Sequence, residues 1–210
     1  MTTMRGQPPG RAGRLWLERR AGVADRGADL LELKLRILIA EEQRFRLRSE
    51  RTSREWATAV QEMDTWMLRA GLASGQRALR LATPSECATA EVEWHLTMGV
   101  EYPVRATCEV PEVERSDPVP DSTALLHARS AARRAVSAGV AHAVAMAALT
   151  AVSEEITSTR RQVRAVRRRW IPALESARRT LATTLDDQEH DEAVRLRWAS
   201  GASHTPGDRP

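Results

Sequence analysis

From about Arg14 to Leu81, apolar residues recur at steps alternating between four and three. Starting at Leu17, these steps visit Ala21, Ala24, Ala28, Leu31, Leu35, Leu38, Glu42, Phe45, Ser49, Thr52, Trp56, Ala59, Met63, Trp66 and Ala70. A repeat of about 3.5 residues arises when one face of a helix stays against another helix, so the stretch predicts a long amphipathic helix with a heptad seam. Its polar interruptions, Glu42, Ser49 and Thr52, fall near the centre, and no proline breaks the run.

A second helical pattern runs from about Ser122 to Trp198 and opens on Asp121-Ser122-Thr123, a plausible cap. Its seam is traced through Ala132, Val136, Gly139, Ala143 and Met146, then Leu149, Val152, Ile156, Val163, Val166, Trp170, Leu174, Ala177 and Leu181, with slippage between them. Pro172 lies inside this pattern. Proline removes one backbone donor and its ring crowds the preceding turn, so a bend or local loosening is expected near residue 168.

Between the helices the composition changes. Residues 84–122 hold nine acidic side chains against two basic ones, and five of the ten prolines. Within this stretch EVEWHLTM alternates Val92, Trp94, Leu96 and Met98 at period two, GVEYP turns, and VRATCEV alternates Val104, Ala106, Cys108 and Val110. Such alternation across a turn predicts a β-hairpin with one face buried.

Two long helices joined by a short tip run antiparallel, so positions whose numbers add to about 200 should face each other. That pairs the bulky Trp56, Met63 and Trp66 with the small Ala135, Gly139, Ala143 and Ala147, large against small. At about 1.5 Å per residue, roughly 60 helical residues per arm predict a rod on the order of 90 Å long. The fold class expected is therefore mainly α: a long antiparallel two-helix coiled coil of N- and C-terminal helices, with a small β-hairpin tip mid-chain. The expected segments are a disordered N-terminus (1–13), a coiled-coil helix (14–82), an acidic tip (83–121), a second coiled-coil helix (122–198) and a disordered tail (199–210).

Composition supports slender helices over a compact sphere: 29% charged residues, 4% aromatic, a net charge of +4, and much of the apolar content as alanine. Residues 1–10, MTTMRGQPPG, lack the apolar run of a signal peptide. Residues 135–153 carry no formal charge and are long enough to span hydrocarbon, but they are mostly alanine and poor in the residues that drive insertion. A helix face closely packed on a partner helix is the expectation there, without membrane insertion.

Catalytic chemistry is hard to find. There is no phosphate-cradling GxxxxGK[ST] loop, and the single lysine, Lys34, sits among leucines. His95, His127, His142, His190 and His204 show no metal-ligand spacing, Cys87 and Cys108 make neither a zinc set nor a predicted disulfide, and the serine of GLASG is misplaced for a nucleophile elbow. Asp186, Asp187, Glu189, Asp191 and Glu192 suggest a solvated helix face or a partner contact. No catalytic residue, cofactor or metal site is expected. The strongest electrostatic feature is RRQVRAVRRR, residues 160–169; its arginines occupy several faces of the helix, which suits a solvated face or an acidic protein partner better than a nucleic acid track.

The terminal runs carry a family resemblance. PPGRAGRLWLERRAGVADRGADLLELKLRIL, with Arg26, Gly27, Asp29, Leu30, Leu31 and Lys34, resembles the opening helix of the D subunit of the V/A-type rotary ATPases. RWIPALESARRTLATTLDDQEHDEAVRLRW is similar to that family's closing helix at Ile171, Pro172, Leu174, Glu175, the acidic stretch and Arg195, and MGVEYP resembles its central Met-Gly-Val. Gly22, Asp25, Thr180 and Thr183 depart towards a weaker helix pattern.

The resemblance implies a non-catalytic central-stalk protein, a rotor shaft carrying torque between the catalytic ring and the ion-translocating membrane ring. It implies as partners the A and B subunits of the catalytic ring, the F subunit of the stalk, and the C (or d) subunit above the membrane rotor, with no nucleic acid. The expected location is cytoplasmic, peripheral on the inner face of the cell membrane. Candidate ring or stalk contacts are Arg26, Lys34, Arg160, Arg164, Arg167, Arg168, Pro172, Glu175, Glu189 and Arg195. Candidate helix-packing residues are Leu31, Leu35, Leu38, Trp56, Met63, Trp66, Gly139, Ala143, Val163 and Trp170. An autonomous basic coiled-coil adaptor or nucleic-acid-binding helical protein is the competing expectation.

Overall fold

A computed structural model describes residues 8–83, 86–111 and 122–202. The chain is mainly helical, with a long N-terminal helix, a long C-terminal helix and a two-stranded antiparallel hairpin between them. Helix α1 is Gly10–Leu81, strands β1 and β2 are Thr89–Thr97 and Val100–Glu109, and helix α2 is Thr123–Ala165. A π-helical turn, Val166–Trp170, leads into helix α3, Ile171–Ala202. The fraying expected at the termini falls in large part on residues 1–7 and 203–210, outside the described residues. The chain forms two compact units, residues 34–158 and residues 1–33 with 159–210.

In the unit of residues 34–158 the two helices run antiparallel. Lys34 bonds Glu155, Ser49 meets Met146, Trp56 stacks on His142, and Trp66 stacks on His127. Bulky does meet small: a Cβ on Gly139 would lie 3.1 Å from Trp56 Nε1. Trp66, however, meets His127 rather than Ala135, so the facing pairs sit closer to the start of α2 than expected.

The α1 seam read from periodicity is the packed face. Leu38, Phe45, Ser49 and Ala70 are buried, and Leu35, Thr52, Met63 and Trp66 are partly buried; Trp56 alone among the seam residues of this unit is exposed. The α2 seam is displaced by one residue over its first half. Ala128, Ala131, Ala135, Ala145 and Ala148 are buried, while Val136, Ala143 and Met146 are exposed. Ala143 is therefore not a packing residue. Alanine occupies every face of this stretch, so apolar character does not mark the buried one. By length and composition a window within Thr123–Ser200 is apolar enough to cross a bilayer; the charge-free run supplies Ala135, Val144, Ala145, Ala148 and Val152 to the core.

Two local devices shape the helix ends. Gly75 adopts φ 75°, ψ 168°, a region open essentially to glycine, and breaks α1 shortly before its end. Beyond it, Ala78 and Leu79 pack on the cluster of Ala70, Leu125 and Ala128. Ser122 caps α2, its Oγ accepting from the Leu125 N–H at 3.4 Å and from the Ser74 hydroxyl at 2.8 Å.

The hairpin turns on Met98-Gly99, both at positive φ (53° and 78°), the backbone twist a two-residue hairpin loop needs. On β2 the alternating Val104, Ala106, Cys108 and Val110 are half-buried between exposed Arg105, Thr107 and Glu109, but on β1 the alternating face is not the buried one. Val92, Trp94, Leu96 and Met98 are exposed, Leu96 at 67%, whereas Val100 and Tyr102 join Leu38, Phe45, Ala148, Val152 and Ile156 in the main core. The two-residue turn explains the difference: it sets Thr97 opposite Val100 and His95 opposite Tyr102, so Trp94 and Leu96 lie on the other face, and the register irregularity between Glu93 and Trp94 comes beyond these pairs, leaving Val104 unpaired. Tyr102 meets Phe45 edge-on, with ring centroids 4.9 Å apart.

Candidate interaction surface

The unit of residues 1–33 and 159–210 holds most of the singled-out charges. Its apolar seam is narrow: Leu17 and Ala28 on α1, and Ile171 and Leu174 on α3, are buried, with Leu31, Val163 and Val166 partly so. Steps of four and three from Val163 through Val166 lead to residue 170, yet Ile171 occupies the seam and Trp170 is 42% exposed. The π turn is the cause. Its wider winding inserts one extra residue, so the following side chains rotate by about a quarter turn relative to the α-helical frame.

Pro172 has no N–H with which to complete an α-helical bond. Across the turn the Ile171 N–H bonds the Val166 carbonyl, five residues back. The disturbance expected near residue 168 is thus a π turn at 166–170, and Trp170, expected to pack between helices, faces outward because of it.

The arginine cluster divides into two groups. Arg167 reaches three carboxylates spaced along one face of α1: Asp29 at 2.5 Å, Glu32 at 3.1 Å and Asp25 at 3.5 Å. Hydrogen bonds to Glu32 and then Asp29 raise the Arg167 pKa above its ordinary value. Asp25, a departure from the helix pattern, is used here. By contrast Arg160, Arg161, Arg164, Arg168 and Arg169 make no ion pair among the described residues, and all are exposed.

The other candidates sort in the same way. Glu189 accepts from Arg11 at 2.7 Å, a bond that raises the Arg11 pKa. Arg26, Pro172, Glu175 and Arg195 are exposed without an ion pair among the described residues. Lys34 belongs to the other unit, where it is bonded to Glu155. Among the described residues no group of three or more His, Cys, Asp or Glu side chains could hold a metal ion; Cys87 and Cys108 are free thiols.

Periodicity did not single out Trp16 and Arg20. The Arg20 guanidinium lies over Trp16 at 4.8 Å and over Trp170 at 5.3 Å from the ring centroids. These residues, with Arg19, Val23 and Ala24, line an open groove of about 490 Å³ that contains no carboxylate. The available signal was a heptad spacing outside the main seam, Trp16, Val23 and Leu30, which gives α1 a second, exposed apolar stripe.

What the described surface offers is contact, through unpaired arginines, exposed apolar side chains and one aromatic–cation groove. No curated protein matches the chain. A family model described as the ATP synthase D subunit matches residues 15–201 of the 210, which covers both long helices and the hairpin, and the chain belongs to that family of rotary-ATPase stalk proteins.

Proposed function

We propose that this chain is the central rotor shaft of a V/A-type ATPase or ATP synthase, turning within the catalytic ring and passing torque to the ion-translocating ring in the membrane. ATP chemistry then belongs to the A and B subunits. The F subunit and the C (or d) subunit are its partners along the stalk, and it works on the cytoplasmic face.

The observation that carries this is the family match over residues 15–201. A shaft among repeated catalytic interfaces must present different faces to them, because a uniform cylinder would bias none. The π turn before Pro172 supports such asymmetry, since it gives one side of the shaft Trp170 and unpaired arginines. Exposed ion pairs are worth under about 1 kcal/mol each, so charged contacts of this kind grip weakly and exchange as the shaft turns.

In this scheme Arg26, Arg160, Arg164, Arg168, Glu175 and Arg195 touch the ring or stalk partners. Arg167, Lys34 and Glu189 instead brace the shaft internally through Asp29 and Glu32, Glu155, and Arg11. The test is a pull-down of the tagged chain from native membranes with identification of every protein recovered. Co-purification with catalytic-ring and stalk proteins is expected; a chain recovered alone, or with nucleic acid at physiological salt, would overturn the proposal.

A further inference from the structure

We infer that the groove formed by Trp16, Arg19, Arg20 and Trp170 is a receptor for a carboxylate side chain on a protein of the catalytic ring. The inference rests on the rotor-shaft role and gives one contact of that shaft a defined chemistry. Its basis is the state of Arg20. Two indole rings, Trp16 at 4.8 Å and Trp170 at 5.3 Å from the guanidinium carbon, support the cation through their quadrupoles. Such contact pairs the charge with no carboxylate, and a planar fork of donors is the geometry a carboxylate accepts bidentately.

Nothing among the described residues fills that fork. Arg19 and Arg20 form no ion pair there, and the nearby carboxylates are taken: Glu18 by Arg14, and Asp25, Asp29 and Glu32 by Arg167. The floor beside the two arginines is apolar, Val23 and Ala24, which suits the aliphatic stem of Glu or Asp and the helix or loop behind it. A polyphosphate or nucleic acid is favoured by a row of cations; the groove is lined by two adjacent arginines and two indoles. The π turn is part of the site, because without its extra residue Trp170 would lie in the seam and Arg20 would lose one ring.

The test uses the scarcity of lysine. A carbodiimide joins an amine to a carboxylate only when the two touch, and the single lysine, Lys34, already touches Glu155 at 2.5 Å, providing an internal control adduct. The whole complex carrying Arg20→Lys, and separately Arg19→Lys, is treated with carbodiimide and digested for adduct mapping. The expected result is a new adduct to an Asp or Glu of a catalytic-ring protein in at least one variant, with a yield that falls at least about threefold when Trp170→Ala is added.

Formation of the control adduct with no new adduct, adducts only within the chain or to proteins outside the ring, or a yield indifferent to Trp170→Ala would overturn the inference. So would retention of duplex DNA at physiological salt by the wild-type chain and its loss in Arg20→Gln, which would assign the groove to phosphate. Failure to co-purify with ring proteins at all would count against the rotor role itself, and is scored before any crosslink.

Discussion

The two units of this chain are held together by different chemistry. In residues 34–158, Leu38, Phe45, Val152 and Ile156 close over Tyr102 and Val100 from the hairpin, and a second cluster gathers around Ala70 and Leu125. In residues 1–33 and 159–210 the buried apolar set is thin, and Arg167 with three carboxylates, Arg11 with Glu189, and Arg20 over two indoles supply the remaining contacts. Apolar burial is indifferent to salt and intolerant of shape change, whereas half-exposed charge contacts are weak, screened and exchangeable. A unit that must stay packed and a unit whose surface must meet changing neighbours would call for these two solutions.

The largest expected effect comes from cutting the apolar unit. Leu38→Ala removes a side chain that is 1% exposed at the centre of its core and should cost about 2–5 kcal/mol in chemical denaturation. A loss equally large and equally insensitive to salt on breaking the Arg167 cluster would erase the contrast between the units.

Next, Ser74→Cys with Ser122→Cys should form an intrachain disulfide, since the two hydroxyls lie 2.8 Å apart. Closing that loop should stabilise the oxidised chain by about 2–4 kcal/mol. Crosslinks found only between chains would show that the antiparallel pairing in this unit is wrong.

Gly75→Ala imposes a side chain on a backbone conformation L-residues rarely adopt, and about 1–3 kcal/mol of destabilisation is expected. Its effect should appear first as faster hydrogen exchange at Ala78 and Leu79, the segment the break folds back. Unchanged exchange there would mean that the glycine is dispensable.

The smallest effect belongs to the charged unit. Arg167→Met should lower the denaturation midpoint modestly at low salt, because Asp25, Asp29 and Glu32 then repel one another, and the difference should vanish in about 1 M salt, where screening acts over about 3 Å. A salt-independent loss would mean that the aliphatic stem of Arg167, rather than its charge, is the contribution.

How much could be read beforehand differed between the helices. On α1 the seam carries Leu17, Leu38 and Phe45 against polar flanks, so periodicity located the packed face. On α2 the packed and open faces are both rich in alanine, and the seam came out one residue away, with Ala143 named where Val144 is buried. The hairpin and its glycine turn were legible as alternation. The packed face of β1 was not, because the turn at Met98-Gly99 sets Trp94 and Leu96 on the face away from Tyr102.

The candidate surface divides along similar lines. That arginines crowd residues 160–169 and that Pro172 disturbs the helix is written locally. Which arginine is consumed by Asp29 and Glu32, and which indole turns outward, depends on residues more than a hundred positions away.

By itself the amino-acid sequence determined two long helices, their opposite directions and the hairpin between them. Helical and strand periods are local properties, and a hairpin tip between two long helices favours opposite directions. The tertiary structure alone decided which alanines are buried, that Ile171 rather than Trp170 fills the seam, and that Arg167 is spent on carboxylates while Arg20 lies over Trp16 and Trp170. Those outcomes turn on one-residue changes of register and on contacts between distant segments, and a single extra residue in one helical turn is enough to reverse what faces in and what faces out.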